Sequence, residues 1–179
     1  IVGWANIGSA YRAFLWQNGS MSNLGALSSG IRSKAYDING SGVVVGLSEP
    51  NAISSNWVPF RLSGGVMSSL GTFGGDWGEA RGINTSGVTV GWAYNADSTE
   101  RGFRWTAAGG LQDLGTLGGD RAFAYDINDN DVIVGMSDNA GGVFQAFVWQ
   151  NGTMTALQDN VTVAWAINNS GEIVGFRDG

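Results

Sequence analysis

The 179-residue chain contains neither histidine nor cysteine. That removes the usual nucleophile–base pairs and every imidazole or thiolate zinc site. Oxygen chemistry remains. The run Asp126-Ile127-Asn128-Asp129-Asn130-Asp131 alternates carboxylates and amides, the ligand type that a hard cation such as calcium takes. Asp126, Asp129 and Asp131 would be its acidic ligands. Three sister segments, Asn39-Gly40-Ser41-Gly42, Asn84-Thr85-Ser86-Gly87 and Asn168-Asn169-Ser170-Gly171, occupy the same place. Their common requirement is a turn, and Asp131 stands where a left-handed glycine would. No metal and no cofactor is expected. A facing pair of carboxylates could hydrolyse a glycosidic bond; Glu49, Glu79 and Glu100 are the candidates, each read as lying in a variable loop. The expectation is a protein that is not an enzyme.

These residues sit in a chain that repeats itself. A phrase of the form A-x-x-I-N-x-x-G-x-V-V-G ends at Gly46, Gly91, Gly135 and Gly175, and a partial fifth ending, Ile1-Val2-Gly3, opens the chain. From Gly3 onward the spacings are 43, 45, 44 and 40 residues. Self-similarity at such a period fixes architecture before local propensity does. Each repeat holds four short apolar pieces. In the first repeat these are Ala13-Phe14-Leu15-Trp16, Met21-Ser22-Asn23-Leu24, Ala35-Tyr36-Asp37-Ile38 and the Val-Val-Gly run. Most carry β-branched or aromatic residues, with Gly, Asn, Asp and Ser between them, which is a strand signature. Asn18-Gly19 and Asn151-Gly152 supply the positive φ of tight hairpins. Short links force antiparallel pairing.

One domain over 1–179 is expected, with repeats at about 4–46, 47–91, 92–135 and 136–175. The fold class is all-β: a β-propeller of four four-stranded antiparallel blades of ~44 residues. A β-solenoid, or an open segment of a larger propeller, is the alternative. Residues 1–3 are either a closing strand that swaps into the last blade or a partial repeat. Phe14, Phe60, Phe103 and Phe147 recur at one register, with Trp16, Leu62, Trp105 and Trp149 two residues on. One face is thus always large and apolar, and Trp16, Trp105 and Trp149 are expected to pack between blades.

Charge is sparse. Nine basic residues are scattered through a chain of net charge −6, so nucleic acid and anionic membrane surfaces are disfavoured as partners. No run approaches the ~18 apolar residues of a membrane span. Asn-x-Ser/Thr sequences at Asn18, Asn39, Asn84, Asn151, Asn160 and Asn168 read as turns.

The phrases A-F-x-W-x-x-G-x-M-x-x-L-G, L-G-x-L-G-G-D and A-x-D-I-N-x-x-G-x-V-V-G resemble the HAF repeat of bacterial extracellular proteins. The likeness covers essentially the whole chain, although the histidine of His-Ala-Phe is replaced in every copy. It implies a secreted or surface-attached bacterial β-repeat protein. Because that family has no assigned reaction, no catalytic residue carries over.

Function then belongs to what does not repeat. Gly74-Gly75-Asp76-Trp77 and Gly118-Gly119-Asp120-Arg121 diverge from Ser28-Ser29-Gly30-Ile31-Arg32. Trp57, Trp77 and Tyr94 have no aromatic sisters in the other copies, so they are candidate stacking platforms for sugars or anchors for a protein partner. The candidate ligand-binding set is Trp57, Trp77, Tyr94, Asp76, Asp120 and Arg121. A glycan or a surface protein is the expected partner, with self-association through repeat edges as a further possibility. A purely structural surface or assembly element is the competing reading, and a glycoside-active enzyme stands third.

Overall fold

A computed structural model describes residues 1–8, 10–53, 55–158 and 161–177; Asn160 lies outside them. Among the described residues there is no helix, and hence none able to cross a membrane. The described residues form seventeen strands in five antiparallel sheets. The first sheet holds β1 (Val2–Ile7), β2 (Ala10–Gln17) and β3 (Ser20–Asn23). The second holds β4 (Ser33–Ile38), β5 (Val44–Ser48), β6 (Val58–Ser63) and β7 (Val66–Ser69). The third runs through β8 (Gly74–Ile83), β9 (Thr89–Asn95), β10 (Glu100–Thr106) and β11 (Gly110–Asp113). The fourth runs through β12 (Gly118–Ile127), β13 (Ile133–Asn139), β14 (Phe144–Gln150) and β15 (Thr153–Ala156), and the fifth pairs β16 (Val161–Ile167) with β17 (Ile173–Arg177). Each sheet packs on the next in chain order. This is a β-propeller arrangement with the strand content of about four blades. Antiparallel pairing in every sheet excludes a solenoid of parallel coils.

The sheets are out of phase with the repeats. The second sheet begins inside the first repeat, crosses the boundary after Gly46 and ends on β7. The Ile-Asn hairpin joins the first two strands of a sheet, and the Asn-Gly hairpin joins the last two. Which hairpins share a sheet is set by the longer links, and no local signal reveals that. Residues 1–3 likewise act locally: β1 pairs with β2 in the first sheet, while β17 pairs with β16 alone among the described strands.

The repeated glycine explains much of the packing. Gly3, Gly46, Gly91 and Gly135 stand opposite Phe14, Phe60, Phe103 and Phe147. A methyl group on Gly91 would overlap the carbonyl oxygen of Glu79 on the neighbouring strand, so only glycine lets the strands approach. Phe60, Phe103 and Phe147 are fully buried and centre three inter-sheet clusters. Trp149 and Trp105 join these clusters as expected, whereas Trp16 is 43% exposed, with no sheet packed over it among the described residues.

At one end of the molecule the Ile-Asn turns form a ladder. Asn39, Asn84 and Asn128 each accept a bond from a backbone N–H within their own turn through Oδ1. Each also donates its amide to the backbone oxygen of the next: Asn39 to Asn84, Asn84 to Asn128, and Asn128 to Asn168. One side chain thus builds a turn and joins two blades. The opposite end carries the links between sheets. It forms a rim.

Candidate functional site at the rim

Three positions meet at the rim of each complete sheet: the approach to the first strand, the end of the second and the start of the third. In the second sheet they hold Arg32, Glu49 and Trp57. Glu49 is 1% exposed and accepts from the Arg32 amide (2.9 Å) and Nε (2.6 Å), while the Arg32 guanidinium lies 5.4 Å from the Trp57 ring centroid. In the fourth sheet they hold Arg121, Asp138 and Phe144. The Arg121 amide and Nε donate to Asp138 (2.7 and 3.2 Å), and the guanidinium lies 4.5 Å from the Phe144 ring. A buried acid, an arginine cap and an aromatic lid satisfy one another twice over.

The third sheet inverts this arrangement. Trp77 replaces the arginine, Tyr94 replaces the buried acid, and Glu100 takes the aromatic position. Trp77 stacks on Trp92 at 4.9 Å and meets Tyr94 at 6.3 Å; Trp92 and Tyr94 are 5.9 Å apart. All three rings are half-buried. Burial raises the Tyr94 hydroxyl pKa, and the charges of Glu100 and exposed Asp76 raise it further. The outcome is an aromatic cluster flanked by two acids without the guanidinium cap of its neighbours.

Beneath it sits a fixed polar floor. Glu79, 3% exposed, accepts from Arg81 Nε (2.5 Å) and Trp92 Nε1 (2.9 Å). Arg81 in turn lies 4.4 Å from the Tyr36 ring. Burial pushes the Tyr36 hydroxyl up to about 12, with the Glu79 charge adding to it. The Trp92 indole is therefore held in one orientation, with its N–H spent on a buried carboxylate.

The structure brings Trp57, Trp77, Tyr94, Asp76, Asp120 and Arg121 to the same rim, but not as equals. Trp57 is 8% exposed and covered by Arg32 and by Tyr11 stacked at 5.8 Å, so it is no open platform. Arg121 closes its own sheet, and the backbone oxygen of Asp120 accepts from Arg101. Trp77, Tyr94 and Asp76 keep accessible surface. Trp92 and Glu100 belong with them. In sequence Trp92 is one of the large residues after Val-Gly and reads as core; only its position between Trp77 and Tyr94 reveals it.

The loop reading of the glutamates is corrected: Glu79 lies within β8 and Glu100 opens β10, while Glu49 does lie in the link after β5 but is buried. The calcium ligands do not converge. Asp126 accepts from the Ile127 and Ile167 amides (both 2.8 Å), Asp129 from Thr85 and Asn169, and Asp131 is bonded to Arg104. Three carboxylates turned toward three separate partners cannot share an ion, and among the described residues no acidic cluster fit for a metal forms. Asp131 adopts φ 60°, as its glycine-replacing role requires.

No family model matches the chain, and no curated protein matches it. Solved structures do. TolB from Acinetobacter baumannii superposes with a TM-score of 0.61 at 11% identity, covering 94% of this chain and 44% of TolB. A gluconolactonase from Xanthomonas campestris superposes with a TM-score of 0.52 at 13% identity, covering 93% of this chain and 62% of the enzyme. The chain therefore spans less than two-thirds of either protein. At such identities the likeness shows the β-propeller fold alone.

Proposed function

We propose that this propeller module binds a glycan without catalysis, seating a sugar ring on the Trp77–Trp92–Tyr94 cluster. One observation carries the reading: the rim pattern of arginine, buried acid and aromatic lid in the second and fourth sheets is inverted in the third. The inversion leaves Trp77, Trp92 and Tyr94 stacked on one another but partly accessible, and places acids beside them. Ring faces stack on the apolar side of a pyranose, and Asp76 and Glu100 can accept hydrogen bonds from its hydroxyls. Rigid indoles add contact area at low entropic cost. The likeness of the repeat phrase to the HAF repeat supports an extracellular bacterial setting, where such ligands occur.

The test is a glycan array followed by titration of the best ligand. Trp77→Ala removes an accessible platform and should cost about 2 kcal/mol, roughly a thirtyfold loss of affinity. Trp57→Phe, at a covered position, should leave affinity within about threefold. An array without any ligand, or equal affinity in Trp77→Ala, would refute the proposal.

A further inference from the structure

The second and fourth sheets hold a cation on an aromatic ring at their rim. In each, a guanidinium lies over the ring and is bonded to a carboxylate: Arg32 on Trp57 with Glu49, and Arg121 on Phe144 with Asp138. Ring and acid together make a cation site, and the chain fills it from its own side chains. Charge balances there, one arginine to one acid.

In the third sheet the same register has rings and acids but no cation. Glu100 stands directly opposite Tyr94 in the β9–β10 pairing, which puts both side chains on one face with Cβ atoms about 5 Å apart. Trp77 meets the Tyr94 ring from β8, and Asp76 precedes Trp77 in that strand. The guanidiniums of the surrounding strands are engaged: Arg81 with Glu79, Arg101 with Asp113 and Arg121 with Asp138. Among the described residues no ion pair includes Asp76 or Glu100. Burial raises the hydroxyl pKa of Tyr36, Tyr94 and Tyr125 alike. At Tyr36 and Tyr125 the Arg81 charge counters it, whereas at Tyr94 the charges of Glu100 and Asp76 add to it. Two negative charges thus stand uncompensated beside partly accessible rings.

We propose that the ligand of the Trp77–Trp92–Tyr94 cluster is cationic: a glycan of amino sugars with free amines, whose ammonium supplies the charge that Arg32 and Arg121 supply in the sister sheets and is held by Asp76 and Glu100. This rests on the glycan reading and adds to it the charge of the sugar. An ammonium presents three N–H donors, enough for both carboxylates at once, while the pyranose carbons still stack on an indole. A neutral or acylated sugar leaves both acids uncompensated, and an acidic one is repelled. The net charge of −6 also draws a cationic ligand from a distance.

The experiment compares, by calorimetry, a glucosamine tetramer and its fully N-acetylated counterpart at a pH where the free amines are protonated. Acetylation removes the charge and keeps the sugar backbone. The free-amine tetramer should bind wild type about tenfold more tightly, the worth of a charge-assisted hydrogen bond. Asp76→Asn/Glu100→Gln should bring the two ligands within about twofold of one another, with the acetylated tetramer unaffected because the amide oxygens still accept from hydroxyls. Trp77→Ala should weaken both tetramers about thirtyfold. Tetralysine, of the same net charge, should bind at least about tenfold more weakly than the free-amine tetramer, since it has no pyranose face to stack. Equal affinity of the two tetramers for wild type, a preference that survives in the double variant, or tetralysine matching the free-amine tetramer overturns the proposal. Glycan binding that is lost in Trp77→Ala but shows no preference for the amine refutes the charge alone; absence of any glycan ligand refutes the glycan reading with it.

Discussion

Gly87→Asp should stabilise the protein, and the protein itself contains the template. Arg104 in β10 reaches across to Asp131 in the turn of the next sheet, with Nε 3.1 Å and 3.2 Å from the two carboxylate oxygens and one terminal nitrogen 2.7 Å from Oδ2. Arg61 occupies the sister position in β6, and the turn residue facing it is Gly87. A Cβ on Gly87 would lie 3.7 Å from an Arg61 terminal nitrogen, ordinary contact that needs no repacking. Arg61 Nε is buried without a hydrogen-bond partner. Satisfying such a donor is worth about 1–3 kcal/mol, and restricting the unfolded chain at a former glycine adds about 0.4–1 kcal/mol. Against this stands the left-handed backbone: Gly87 has φ 79°, near the φ 60° that Asp131 already adopts. Strain there is on the order of 1–2 kcal/mol for a general side chain and less for aspartate. The net gain is about 1 kcal/mol, a rise in melting temperature of about 2–4 °C for a chain of this size. Urea denaturation of wild type, Gly87→Asp, Arg61→Met and the double variant gives the coupling directly. Zero or unfavourable coupling, or a gain equalled by Gly87→Ala, would refute the reasoning.

Thr89→Val should also stabilise, by about 1 kcal/mol in the same assay. The Thr89 hydroxyl is fully buried without a partner, and its sister positions hold Val44, Ile133 and Ile173. A loss of stability would mean that the hydroxyl is bonded after all. Asp37 and Asp126 predict a pH signature: burial raises both carboxyl pKa values, against the backbone N–H bonds that lower them. Raised values mean that the folded state binds protons more readily than the unfolded one. The contribution of these two groups therefore falls as pH rises from the ordinary carboxylate range through their raised values. Asp37→Asn/Asp126→Asn should remove that component, making the dependence of stability on pH more positive in this window. An unchanged slope would refute the assignment.

How much was legible before folding differs from residue to residue. The turn at Asp131 could be read directly, because three sister turns place glycine there and the chemistry is local. So could the strand content and the apolar Phe-x-Trp face, since a period of two over four copies leaves little choice. The set of rim residues was half legible. Trp77 and Tyr94 stood out as aromatics without sisters; Trp57 read the same way, but the sheet register gives it Tyr11 and Phe144 as sisters, and it proved to be covered by Arg32 and Tyr11. Trp92 hid in a column of core residues, and Glu79 looked like a loop acid.

By itself the sequence determined the unit: short strands, Asn-built turns and a glycine that admits a phenylalanine, all governed by contacts within a few residues. The tertiary structure alone decided which hairpins share a sheet, that β1 pairs at home rather than closing a ring, and that the third sheet carries its rim pattern inverted. Those outcomes depend on pairing between residues far apart in the chain, where sheet register and burial act together. A residue type announces what it can bond to, but only its neighbours in space settle whether it is capped, buried or left open.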